Sequence, residues 1–158
     1  PNANILIIAG NATDVKEEQD YLESIIDNSS INKSDIFVVH SVNCICKRKS
    51  GDSLVSRDPA LAELNNCLPF VKYAIQFVRP RIIISMGATA LNQFYPQYKF
   101  LDYIGETVSY DGIKAIITYS VNDLFILSER IDSEKVEELV YQTIDSFSEA
   151  QNYINIIK

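Results

Sequence analysis

The stretch Arg79-Pro80-Arg81-Ile82-Ile83-Ile84-Ser85-Met86-Gly87-Ala88-Thr89-Ala90-Leu91-Asn92-Gln93-Phe94 decides the fold class. Pro80 has no N–H to donate and its ring clashes with the preceding turn, so a helix reaching this point ends here. Ile82, Ile83 and Ile84 form an unbroken β-branched run, the pattern of a strand covered on both faces. Gly87 permits a sharp turn. Ala88-Thr89-Ala90-Leu91 then opens a helix whose first N–H groups point along the strand ends, the edge at which ligands of open α/β sheets bind.

Working outward, Ile5-Leu6-Ile7-Ile8-Ala9 repeats the buried-strand pattern and ends at Gly10. Thr13 or Asp14 caps the next helix, with Asp14, Glu17 and Glu18 in a first turn that favours negative charge. Val15, Tyr21, Leu22, Ile25 and Ile26 form its apolar stripe, and Asn28-Ser29-Ser30 ends it. Residues 35–42 read as a second strand. Residues 43–57 are polar and read as a long loop. Asp58-Pro59 starts a helix that turns Leu61, Leu64, Phe70, Val71, Ala74, Ile75 and Val78 inward, with a kink expected at Pro69. Beyond the central stretch, Asp111-Gly112 joins two strands as a hairpin. A closing helix starts at Asp132-Ser133 and carries Val136, Leu139, Val140, Ile144 and Phe147. The order β-α-β-α-β-α-ββ-α with right-handed crossovers predicts a three-layer α/β/α sandwich around a mostly parallel sheet.

The 158 residues, 47% apolar and 22% charged, read as one globular domain over 1–158. The chain opens at Pro1 and enters a strand almost at once, so it is read as lacking a natural N-terminal segment. No apolar run reaches bilayer-spanning length and no signal peptide is visible, so no membrane partner is expected. Three cysteines fit a reduced, cytoplasmic protein better than a disulfide scaffold. A net charge of −7 argues against a surface that grips nucleic acid throughout. It leaves a local patch at Lys47-Arg48-Lys49, the one dense basic run. His40, the single histidine, reads as structural at the end of an apolar strand. The loop Gly10-Asn11-Ala12-Thr13-Asp14 is followed by acids that repel anions, and no nucleotide-binding glycine motif is present.

These residues resemble the uracil-DNA glycosylase superfamily, in particular its iron–sulfur branch. The resemblance is densest from Asn66-Cys67-Leu68-Pro69-Phe70 through Gly87-Ala88-Thr89-Ala90-Leu91. It extends to Thr118-Tyr119-Ser120-Val121-Asn122-Asp123-Leu124 and back to Gly10-Asn11-Ala12-Thr13-Asp14. It implies a glycosylase-like sandwich and, for active members, hydrolysis of the N-glycosidic bond of uracil in DNA. That reaction needs an acidic or amide group after the first strand and a histidine near the last one, where charge develops on the base. This chain has Asn11, Thr13 and Asp14 at the family's acid, proline and glycine positions, and Ser120 at its histidine position. The catalytic candidates implied are therefore Asn11 with Ser120 or Asn122, beside a sheet-edge loop of Gly10, Thr13 and Gly87. Lys47, Arg48, Lys49 and Arg57 are the implied DNA contacts. Cys46 and Cys67 match two of the four cysteines that hold the branch's four-iron cluster. The other two would precede Pro1, so no cofactor is expected in this chain unless an N-terminal segment supplies them.

Three readings follow. The first is a domain with a decayed catalytic set, acting as a binding module for DNA or for a protein of replication or repair. The second is a divergent active glycosylase. The third is an α/β interaction domain that has lost DNA.

Overall fold

The computed structural model describes residues 2–157. In chain order the elements are β1 (Ile5–Ile8), α1 (Lys16–Asn28), β2 (Ile36–Val39), β3 (Lys47–Ser50), β4 (Ser53–Ser56), α2 (Leu61–Val78), β5 (Ile82–Met86), α3 (Gly87–Phe94), β6 (Thr107–Tyr110), β7 (Ile113–Thr118), α4 (Val121–Ser128) and α5 (Ser133–Ile156). Short 3-10 turns lie at Lys33–Asp35 and Phe100–Asp102. The main sheet runs β2-β1-β5-β7-β6. Its first four strands are parallel and β6 returns antiparallel through the Asp111-Gly112 turn. No helix of the described residues is long and apolar enough to cross a membrane.

Every side chain of β1 and β5 is buried, as the apolar runs Ile5–Ile8 and Ile82–Ile84 require; the buried Ser85 hydroxyl pairs with the Tyr110 hydroxyl at 2.7 Å. Alternation sorts them between two cores. Ile5, Ile7, Ile82, Ile84 and Ile116 meet Ile25, Leu124, Phe147, Ala150 and Ile154 of α1, α4 and α5. Leu6, Ile8, Ile83, Ala115 and Ile117 meet Val71, Ile75, Val78, Ala90 and Leu91 of α2 and α3. The three-layer sandwich expected from the element order is the observed one.

Four local expectations change. Residues 43–57 are not one loop, because β3 and β4 pair antiparallel within them, Lys47 opposite Ser56 and Ser50 opposite Ser53. Seven of this hairpin's eight strand residues are exposed, so no apolar alternation betrays it. A helix, α4, begins directly after Ser120 where none is expected. Neither Asp14 nor Asp58 caps a helix: α1 follows Val15 and α2 follows Ala60, whose N–H donates to Glu63 Oε2 at 2.7 Å. Leu61 and Phe70, expected inward, point outward, 61% and 65% exposed; Phe70 lies about 100° around the helix from buried Val71.

α2 continues through Pro69. Proline removes one ladder bond, but Leu64 and Val71 anchor the helix on either side of it. At its end Arg79 takes φ +52, the left-handed conformation usual for a helix-terminating glycine, and its N–H donates to Ile75 O. An L side chain there costs about 1 kcal/mol.

Candidate site at the carboxyl edge of the sheet

β1, β5 and β7 leave the sheet side by side, and their exits open onto a cavity of about 980 Å³. Each exit carries a small residue because the three backbones nearly touch. Gly10 has φ +79, and a Cβ there would sit 3.3 Å from Met86 O and 3.6 Å from Ser120 Cβ. A Cβ on Gly87 would sit 2.9 Å from Ser120 Cβ. The structure therefore brings Gly10, Gly87 and Ser120 together at one point of the edge. Asn11 follows, joined to Val42 by an isolated parallel bridge, and Ala12 N–H donates to Val42 O at 2.8 Å.

The polar groups around the cavity are mostly engaged. Ser120 Oγ accepts from Asp123 N–H at 3.1 Å, and Asp123 Oδ2 accepts from Ser120 N–H at 3.0 Å, a reciprocal cap on α4. Asn122 Nδ2 donates to Glu18 Oε1 at 3.1 Å, tying α4 to α1 across the mouth. Lys47 Nζ donates to Asp14 Oδ2 at 2.6 Å, tying the β3–β4 hairpin to the loop after β1. That ammonium lowers the Asp14 pKa. Thr13 Oγ1 accepts from Val15 N–H at 3.1 Å at the start of α1. Asp14, Glu18 and Asp123, the carboxylates nearest these exits, thus all hold partners.

Asn11 lines the cavity without a side-chain partner, its Oδ1 buried. His40 lines it as well, its Nδ1 buried and unpaired, and burial lowers its pKa, so the ring is neutral at pH 7. The sequence singles out Asn11 for the site and places His40 at a strand end as a structural residue only. Thr89, which shares a 3.2 Å hydrogen bond with Ser41, and Gln93 are not singled out for it. Gln93 Nε2 donates to Ser41 O at 2.6 Å and Leu64 O at 3.1 Å, which fixes the strand exit carrying His40.

Of the four expected DNA-contacting cations, two are committed within the chain. Lys47 holds Asp14. Arg57 grips Glu63 with both terminal nitrogens, each at 2.7 Å. Arg48 and Lys49 stand exposed on β3, without an ion pair among the described residues. Glu63 is held at a pKa of about 2, first by the Arg57 guanidinium and then by the Ala60 N–H. A carboxylate whose folded pKa is depressed stabilises fully above its unfolded value and loses that contribution as pH falls toward the folded one. Stability should accordingly decline from about pH 4.5 toward pH 2. Glu63→Gln should flatten that part of the urea-midpoint profile. An identical acid limb in the variant would remove Glu63 from it.

The thiols do not assemble a cluster site. Cys46 and Cys67 pack with Val42 and Leu64 in a small apolar cluster, while Cys44 is exposed. Burial, aided by Glu63, raises the Cys46 pKa, which favours the thiol over the ligating thiolate. A four-iron cluster needs four thiolates. Among the described residues no group of three or more His, Cys, Asp or Glu side chains converges. Cys46 and Cys67, which lie together, supply at most two of those four among the described residues.

The family model described as the uracil DNA glycosylase superfamily matches residues 10–142, from the glycine after β1 into α5. No curated protein matches the chain.

Proposed function

The chain belongs to the uracil-DNA glycosylase superfamily, and from that premise we propose that it is a non-catalytic binding module of DNA replication or repair. The observation that carries this is the state of Ser120. The position where active relatives are expected to present a histidine holds a hydroxyl that already accepts the Asp123 N–H in the first turn of α4. The Ser120 Cβ stands where a side chain on Gly10 or Gly87 would have to go, so neither strand exit can supply a replacement group. Asn11 is the one candidate catalytic side chain still free in the cavity; its amide can position a water but brings no negative charge to a developing oxocarbenium ion, and no histidine stands opposite it at Ser120.

The test is single-turnover base release from single- and double-stranded uracil-containing DNA with protein in excess. No release is expected over hours while an active glycosylase works in the same buffer. Release that Asn11→Ala abolishes would establish the divergent-enzyme reading instead. DNA affinity measured alongside discriminates the remaining two readings. With Arg48 and Lys49 as the free cations, log affinity for duplex should fall with log salt at a slope of about −2. Replacing both by Ala should remove that dependence. No measurable DNA binding would favour the interaction domain that has lost DNA.

A further inference from the structure

The cavity does not stop at the strand exits. It continues along the outer flank of the sheet, between α1 and the edge strand β2. α1 lines this groove with Leu22, Glu23 and Ile26, which share one face of the helix because Ile26 lies a turn beyond the other two. β2 lines it with Ile36, Val38 and His40, the alternate residues of one face of the strand. Val38 remains 38% exposed.

The backbone of β2 is open on the same flank. Its one strand partner is β1. Asp35 O and Val39 O accept the N–H groups of Asn4 and Ala9, so the odd-numbered residues turn their peptide groups toward β1. Alternation along the strand then sends the N–H and C=O of Ile36 and Val38 outward. Among the described residues no backbone hydrogen bond meets them there. Sheet edges are commonly blunted by a charge, a proline or a bulge, and Ile36-Phe37-Val38-Val39 carries none of these. At the inner end of the groove Asn11 Oδ1 and His40 Nδ1 are buried without partners, two more polar groups left for an occupant.

The charges along the cavity are one-sided. Its cations, Lys33 and Arg57, are neutralised by Asp27 and Glu63. Glu18, Glu23, Asp58 and Asp123 line it with no ion-pair partner among the described residues. We propose that β2 takes up an extended basic segment of a partner protein as an added strand of the main sheet. Its apolar side chains would lie against Leu22, Ile26 and Val38, and its Lys or Arg side chains against the unpaired carboxylates. The open peptide groups select an extended backbone, and charge complementarity selects a cationic one. The same carboxylates repel a phosphodiester strand, and a second copy would bring another chain of net charge −7 with the same acidic wall. The inference rests on the protein-binding side of the module reading; Arg48 and Lys49, the cations set against DNA, do not line the cavity.

The experiment is fluorescence anisotropy with the labelled peptide Lys-Lys-Val-Thr-Val-Thr-Val-Lys-Lys, against the same peptide with Glu for Lys. The basic peptide should bind about tenfold tighter or better. Only alternate N–H groups of an added strand face β2. N-methylating the valines in one peptide and the threonines in another should therefore weaken one of the two by about tenfold and spare the other. Val38→Pro should weaken binding by about tenfold as well, since it removes an outward N–H and leaves the ladder to β1 intact. Glu23→Gln should weaken it about threefold. In the complex the Ile36 and Val38 amides should exchange more slowly. Equal binding of the Lys and Glu peptides, or of both N-methylated forms, overturns the proposal. Displacement by oligo-dT would assign the groove to nucleic acid, and a dimer in sedimentation that Val38→Pro disperses would assign it to a second copy; either result replaces the basic segment. Base release is measured separately on the parent protein. Release together with peptide binding sinks the non-catalytic reading alone, and no release without peptide binding sinks this inference alone.

Discussion

Phe147→Ala should remove about 3–5 kcal/mol of unfolding free energy, the range for truncating a fully buried aromatic. The ring is completely enclosed in the core shared by β1, β5, α1 and α5. It sits five residues beyond the matched family segment, in the half of α5 that contributes Phe147, Ala150 and Ile154. α5 covers the central strands on that side, and the cavity left by Ala cannot close without moving the parallel sheet. For a domain whose total stability is of order 5–15 kcal/mol, this is about a fifth or more. Urea unfolding should show a lower midpoint with an unchanged slope. A loss below about 1 kcal/mol would mean that α5 caps the sheet loosely and that the core lies within the matched segment.

Gly87→Ala should cost about 2–4 kcal/mol from two separable sources. The residue has φ +84, where any Cβ is strained. The new methyl would also lie 2.9 Å from Ser120 Cβ, below any normal carbon–carbon contact. Ser120 has nowhere to retreat while its hydroxyl and N–H are both tied to Asp123. The two sources come apart in a double-mutant cycle. Ser120→Gly removes the obstructing Cβ, and glycine is nearly as good as serine at a helix N-cap. Combined with Gly87→Ala it should recover the steric part and leave the strain, giving a coupling energy of about 1–2 kcal/mol. Strict additivity would show that Gly87 is needed only for its backbone angle. A Gly87→Ala protein that does fold should show faster hydrogen exchange in α4, because displacing Ser120 breaks its cap.

Both substitutions act on features written locally in the chain. Gly87 ends a strand opened by three consecutive isoleucines, and Phe147 sits on the inward face of a helix with regular apolar spacing. Burial leaves a periodic trace, which is why the strands of the main sheet, the Asp111-Gly112 turn and the Asp132 cap of α5 were legible. The β3–β4 hairpin left no such trace because neither of its faces is buried. α4 leaves little trace because it is eight residues long and Leu124-Phe125-Ile126-Leu127 is an unbroken apolar run with no helical period, although Ser120 and Asp123 form a capping box at its start.

The candidate site divides along the same line. Local pattern placed Gly10 and Gly87 at the carboxyl edge of a parallel sheet, since both follow buried apolar strands, whereas Asn11 and Ser120 entered through the family resemblance. Which polar side chains remain free was decided by tertiary structure. Asp14 meets Lys47 across 33 positions, Glu18 meets Asn122 across 104, and His40 reaches the cavity through a strand exit pinned by Gln93. Apolar burial recurs with the period of its element and can be read from a single chain. A charge or amide finds its partner only when distant segments come into contact, and no periodicity encodes that pairing.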